Sequence, residues 1–261
     1  MKTRNLARRL QHGFSLLEMM LVVAIMGVIS AGILSQMNEA QQRGYSEQVK
    51  LDNFQEARDF VDQFFRDINQ IGYPSSRLVD TTTGLSWSPA IVSPQTTYPL
   101  ANPYIFDKRM AIGLVSIGAK AVQFEGDMIG NGVVQSVIYQ INGSGGCALC
   151  LQRSQVDKIS ADPLLGQPQN WGTEVNDVLS DPIFTYFKAD GTQIPNSSLP
   201  LDISNGATTL ASIKTIKISL TIRNNSVIDP KTSQPIETNF EGEVSINNCS
   251  MATTGQATSC Q

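Results

Sequence analysis

Gly13-Phe14-Ser-Leu-Leu-Glu-Met-Met-Leu-Val-Val-Ala-Ile-Met-Gly-Val-Ile-Ser-Ala-Gly-Ile-Leu34 decides the architecture of this 261-residue chain. From Phe14 the run is 21 residues long and holds one charge, Glu18. At ~1.5 Å per residue, a helix of that length crosses a hydrocarbon layer ~30 Å thick. Lys2, Arg4, Arg8 and Arg9 precede it without an acid. Basic flanks stay on the cytoplasmic side, so the N-terminus is expected there and the rest of the chain across the membrane.

Two readings compete for such a segment. A secretory signal needs a small-residue cleavage site after its apolar core, and Ser30-Ala31-Gly32 imitates one. Against it stand the length of the run and a helical pattern that continues beyond it. Glu18 is the second objection. A carboxylate in a lipid-facing helix costs ~2.5–3.5 kcal/mol on insertion scales, so it is kept for a partner.

Gly13-Phe14-Ser15-Leu16-Leu17-Glu18 resembles the prepilin processing motif, G-F-[ST]-L-[LIV]-E, of type IV pilins and type II secretion pseudopilins. The resemblance implies cleavage between Gly13 and Phe14 by a prepilin peptidase, then methylation of the new Phe14 amine. It also implies that the apolar helix is retained and that the acid at Glu18 meets the N-terminal amine of a neighbouring subunit. Carboxylate and ammonium compensate each other in an apolar bundle, where either alone is penalised. The pair therefore sets the stagger between subunits. The rival reading is an ordinary single-span anchor with a chance acid.

Past Leu34 the helical signal changes character. Phe54, Ala57, Phe60, Val61, Phe64, Phe65, Ile68 and Ile71 recur at three- and four-residue steps, the stripe of an amphipathic helix on a core. Gly72-Tyr73-Pro74 stops it. Gly27, Gly32 and Gly44 are places where it can bend. Many major pilins carry a proline in the apolar half and this chain has none there, a departure from that pattern. Residues 78–103 read as a linker, with Pro89, Pro94, Pro99 and Pro103.

Strand periodicity follows. Residues 121–125 and 133–141 flank a glycine-rich turn and predict a hairpin. Residues 149–153 and 183–187 predict short strands. Ile216, Ile218, Leu220 and Ile222 alternate with polar residues, the mark of a half-buried strand, and Phe240, Val244 and Ile246 predict a last one. The expected fold is α+β, one long N-terminal helix against a mainly antiparallel sheet. The expected organisation is a cleaved leader (1–13), a transmembrane and filament-core helix (14–35), its amphipathic half (36–72) and a β-rich periplasmic head (73–261). In its distal order the chain is similar to minor pilins of the PilW class: Ile71-Gly72-Tyr73, Val137-Ile138-Tyr139, Leu151-Gln152-Arg153 and Phe184-Thr185-Tyr186-Phe187 before Asp190-Gly191 carry that likeness. The J-class pseudopilin of type II secretion shares the plan.

Composition narrows the chemistry. Loss of the leader leaves 15 basic residues against 23 acidic, a net charge of −8. Such a body gives no support for phosphate-backbone binding, so no direct nucleic-acid contact is expected. The one histidine, His12, lies in the leader, which removes imidazole triads, bases and metal sites from the mature chain. Cys147-Ala-Leu-Cys150 follows Gly143-Ser-Gly-Gly146 in a strand-rich region, where a thioredoxin-type pair wants a helix start. Cys249 and Cys260 are too far apart for a second zinc pair. The four cysteines read as two disulfides, with Cys147–Cys150 and Cys249–Cys260 favoured and the other two pairings open. Asp127 and Asp190-Gly191 lack the alternating oxygens of calcium loops, and no lysine follows Gly130-Asn131-Gly132 to make a phosphate cradle.

The expectation is a non-enzymatic, cofactor-free minor pilin that helps initiate or cap a type IV pilus. Its partners are the processing enzyme, other pilins and the inner membrane. The alternatives are the secretion pseudopilin and a tip adhesin or DNA-uptake subunit.

Overall fold

The computed structural model describes residues 15–73, 108, 111–142, 149–229 and 232–247. One helix dominates: α1 (Leu16–Asn69) has 54 residues, ~81 Å at the usual rise. Ser15 caps it with extended backbone, and the Met19 N–H donates to the Ser15 carbonyl at 3.1 Å. Nothing in the sequence interrupts it, since no proline falls inside and Gly27, Gly32 and Gly44 meet no neighbour that would force a bend. The helix ends two residues short of the predicted Ile71. Ile71 instead pairs with Gly126, Gly72 takes φ 74°, and its N–H donates to the Glu125 carbonyl at 2.9 Å.

Among the described residues nine strands form two sheets, and every named pairing is antiparallel. The larger contains β1 (Leu114–Ile117), β2 (Ala121–Gly126), β3 (Gln135–Asn142), β4 (Cys150–Asp157), β5 (Trp171–Val175) and β7 (Leu201–Asp202), in the order β5-β4-β3-β2-β1-β7. The smaller has β8 (Ile213–Ile228) between β6 (Phe184–Lys188) and β9 (Pro235–Ser245). A short helix, α2 (Ala207–Ser212), leads into β8. The expected hairpin is β2–β3, with Phe124 opposite Val137 and Val122 opposite Tyr139. The strand expected at 149–153 runs on to Asp157 against β3, and the one expected at 240–246 begins earlier and reaches 11 residues. The strands divide between two sheets where one was expected, and the segment that enters β6 bonds to the β1–β2 turn. Ile183 N–H donates to Ala119 O at 2.9 Å, and the Tyr186 hydroxyl donates to Gly118 O at 2.9 Å. The linker expected at 78–103 lies outside the described residues.

The core sits where the second half of α1 lies across both sheets. Phe60, Val61, Phe64 and Ile68 are buried, each worth about 1.5–3 kcal/mol of transfer free energy. Their rings meet those of the sheets: Phe64–Tyr139 at 5.3 Å, Phe60–Tyr139 at 5.5 Å and Phe64–Phe184 at 5.5 Å between centroids. Phe54, placed on the core stripe by its spacing, stays 43% exposed and touches only the margin of the sheet at Phe240, 5.6 Å away. On the far face of the larger sheet the loop after β4 closes over Lys158 and Glu125, an ion pair at 2.6 Å with both side chains fully buried. Burial raises the Glu125 carboxyl above its ordinary range although Lys158 pulls the other way.

Candidate functional site

The first residue of α1 that the head buries is Ser46. Residues 16–45 therefore stand free of the head, 30 residues or ~45 Å of helix. From Leu16 to Leu34, Glu18 apart, this part is apolar on every side, and from Ser35 to Tyr45 it is mostly polar. Leu16, Leu17, Met20 and Val23 are each exposed over more than 60% of their surface, and Ile25 and Ile29 on other faces are half exposed. A helix that is apolar all round is stable only when something surrounds it, either lipid or other helices. It is long and apolar enough to cross a membrane, and none of its most apolar stretch is buried in the protein.

Glu18 stands in the first turn of this rod. The Ser15 N–H donates to its Oε2 at 3.4 Å, so the carboxylate bends back along the helix toward the N-terminal end. That end carries the positive pole of the helix and unbonded N–H groups, which suit a carboxylate. The chemistry available is electrostatic. A carboxylate sits at the rim of an apolar cylinder with one weak backbone donor, and it has room for a cation. Gly13 and Phe14, the two residues of the expected cleavage and methylation site, lie outside the described residues.

The other end of α1 is fixed to the head by polar contacts that the sequence did not advertise. Asp67 is 2% exposed. Its Oδ2 accepts from the Tyr139 hydroxyl at 2.7 Å and from Arg153 Nε at 2.9 Å and Nη2 at 2.6 Å, while Oδ1 accepts from Gln63 Nε2 at 2.7 Å. Burial first, and then the Asp67 charge, lift the Tyr139 phenol well above its usual range, so it stays a donor. The only clue in the sequence is an acid between Phe64 and Ile68 on an otherwise apolar stripe. Beside Arg153 an open cleft of about 580 Å³ is lined by Gln135, Gln155, Asn170, Trp171 and Glu174.

Two close approaches complete the attachment. A Cβ on Gly126 would lie 2.2 Å from the Gln70 carbonyl oxygen, and one on Gly242 would lie 2.7 Å from the Phe65 ring. Nearer the free rod, Lys50 pairs with Asp229 of the β8–β9 turn at 3.0 Å, and Val49 packs with Val227 and Ile236. The hairpin arm thus grips the helix where it leaves the head.

Of the cysteines, Cys150 opens β4 and is 1% exposed; among the described residues no cysteine is a free thiol. Cys147, Cys249 and Cys260 lie outside the described residues. Cys150 begins a strand, not a helix, so the helix-start setting that favours a reactive thiolate is missing there. In the 127–132 turn the Asp127 carboxylate accepts from the N–H groups of Gly130 at 2.7 Å, Asn131 at 3.1 Å and Gly132 at 2.6 Å, which occupies its oxygens in shaping the turn.

Residues 8–34 match the family described as the prokaryotic N-terminal methylation motif. The match runs from Arg8 through the apolar run and ends before the head begins. Comparison with curated proteins and with solved structures found no match for the chain.

Proposed function

We propose that this chain is a type IV pilin-like subunit, processed between Gly13 and Phe14 and assembled through the free half of α1, and that it serves as a minor pilin at the start or tip of a pilus. The observation that carries the reading is a methylation motif at residues 8–34 laid on a helix that is apolar all round from Leu16 to Leu34, Glu18 apart, and that projects ~45 Å beyond its head. Lateral packing of such rods supplies affinity. Glu18 supplies register, because a neighbour at the wrong height leaves both its carboxylate and the methylated Phe14 amine uncompensated in an apolar bundle. Before assembly the carboxylate has its own helix end for company, the contact seen at Ser15, so a monomer in the membrane is tolerated while a charged partner is preferred. In this reading the head is non-enzymatic and faces the periplasm, and Cys147–Cys150 and Cys249–Cys260 are disulfides.

The test is Glu18→Ala in the cell of origin. Membrane insertion should be unchanged, since the substitution makes the span more apolar, while recovery of the subunit in sheared filaments should fall at least tenfold. Normal recovery contradicts the proposed role of the carboxylate.

A further inference from the structure

The sheet edges of the head differ in how they are closed. The outer edge of β6 is covered by the chain that follows it: Phe187 bridges Gln193, Ile194 N–H donates to Tyr186 O at 2.8 Å, and Lys188 N–H donates to Thr192 O at 2.9 Å. β7 has only two residues. β5 has five, and just past its end Asn176 is tied to Glu56 of α1 at 3.0 Å. β9 is the exception. It has 11 residues, and among the described residues none of its main-chain groups bonds to anything except β8.

Which groups it leaves open follows from the ladder. On β8, Ser219 N–H donates to Ile183 O, Thr221 N–H to the Ser180 hydroxyl and Arg223 N–H to Asp177 O. Odd residues of β8 therefore point away from β9 and even ones point toward it. Their partners Gly242, Phe240 and Thr238 take the β9 side of those bonds. Glu237, Asn239, Glu241 and Glu243 are left with N–H and C=O directed at solvent. A free edge of this length is a template for another strand.

Two further features say what kind. The edge runs beside the assembling helix: Ile236 packs with Val49, Phe240 with Phe54, Gly242 against Val61 and Phe65, and Asn247 Nδ2 donates to Asn69 Oδ1 at 3.1 Å. It is also acidic. Glu237 and Glu241 are held by Arg223 and Lys217, but Glu243 has no ion pair among the described residues. A second copy of the same edge would set carboxylates against carboxylates, which is destabilising. A basic strand would not.

We propose that the open edge of β9 receives an extended, lysine- or arginine-bearing strand from a neighbouring, different subunit, extending the three-stranded sheet to four. That the neighbour is a filament subunit rests on the function proposed above; the edge chemistry does not. The full chain, in detergent, is mixed with a nine-residue peptide alternating lysine and valine, or with its glutamate–valine counterpart, and amide hydrogen exchange is followed residue by residue. The expected result is at least tenfold slower exchange at Glu237, Asn239, Glu241 and Glu243 with the lysine peptide alone. Asn239→Pro, which removes only an outward donor, and Glu243→Lys, which leaves the backbone intact, should each weaken binding about tenfold. The Glu18→Ala protein should bind like the unaltered one, so failure of filament entry and failure of edge binding are read separately. Equal protection by both peptides, protection elsewhere or none overturns the proposal. So does concentration-dependent protection of these amides without peptide, which would assign the edge to a second copy.

Discussion

Replacing Asp67 by alanine should break the buried polar anchor between α1 and the head. Asp67 is 2% exposed and the Arg153 side chain 14%, with Nη2–Oδ2 at 2.6 Å. Removing the carboxylate leaves a guanidinium with little access to water and takes the acceptor from Tyr139 and Gln63. Breaking a buried ion pair in this way costs about 3–5 kcal/mol, a large share of the roughly 5–15 kcal/mol that holds a typical protein together. At roughly 2–4 °C per kcal/mol for a protein of this size, the melting temperature should fall by about 6–20 °C. The surface pair Lys120–Asp181, with side chains 51% and 61% exposed, is the control; Lys120→Ala should stay within about 1 kcal/mol. The full chain in detergent is unfolded thermally and by urea, with circular dichroism as the signal. Asp67→Leu combined with Arg153→Met should recover most of the loss, because both charges leave together. A loss below about 1 kcal/mol for Asp67→Ala, or a double variant no better than the single, would refute the reasoning.

Other expectations follow from the same geometry. Gly126→Ala should destabilise by roughly 3 kcal/mol, the upper range for overpacking, because the new methyl meets the Gln70 carbonyl backbone at 2.2 Å. Gly172→Ala, whose nearest atom is 3.9 Å away, should change little when melted beside it. Burial raises the phenols of Tyr139 and Tyr186 above their ordinary range. That stabilisation is complete below about pH 10 and is lost as the pH rises past it, at up to ~1.4 kcal/mol per pH unit for each tyrosine. Tyr186→Phe should make the alkaline decline in urea midpoint shallower, and an unchanged decline would count against the buried phenol as its source. Non-reducing mass mapping of the exported chain should find Cys147–Cys150 and Cys249–Cys260 and no free thiol, while quantitative alkylation without reductant would dispose of both bridges.

How much of this was legible depended on how each element is stabilised. α1 was, because its apolar run and its stripe from Ala57 to Ile68 answer to surroundings that composition alone describes. β8 was legible for the same reason, with Ile216, Ile218, Leu220 and Ile222 facing one layer. β5 was not. Trp-Gly-Thr-Glu-Val has no alternation of its own and exists as a strand because β4 offers it an edge. β9 was underestimated, since the face it turns to the helix includes Thr238 and Gly242, a glycine needed for contact with Phe65. Gly126 opens a glycine-rich stretch whose composition signals a turn, yet its lack of a side chain serves the approach of Gln70, far away in the sequence. Of the site, the motif and Glu18 were plain in the first 34 residues. The Asp67–Tyr139–Arg153 anchor was not, because it joins three segments by charge, and pairing of charges across a fold leaves no periodicity.

The claim on which the rest depends is that the apolar rod stays attached after processing and ends in a modified amine. Intact-mass and N-terminal sequencing of the protein taken from cells address it directly. The expected chain begins at Phe14 with one added methyl on its amine. A mature chain beginning downstream of Leu34, with residues 14–34 discarded, would contradict it.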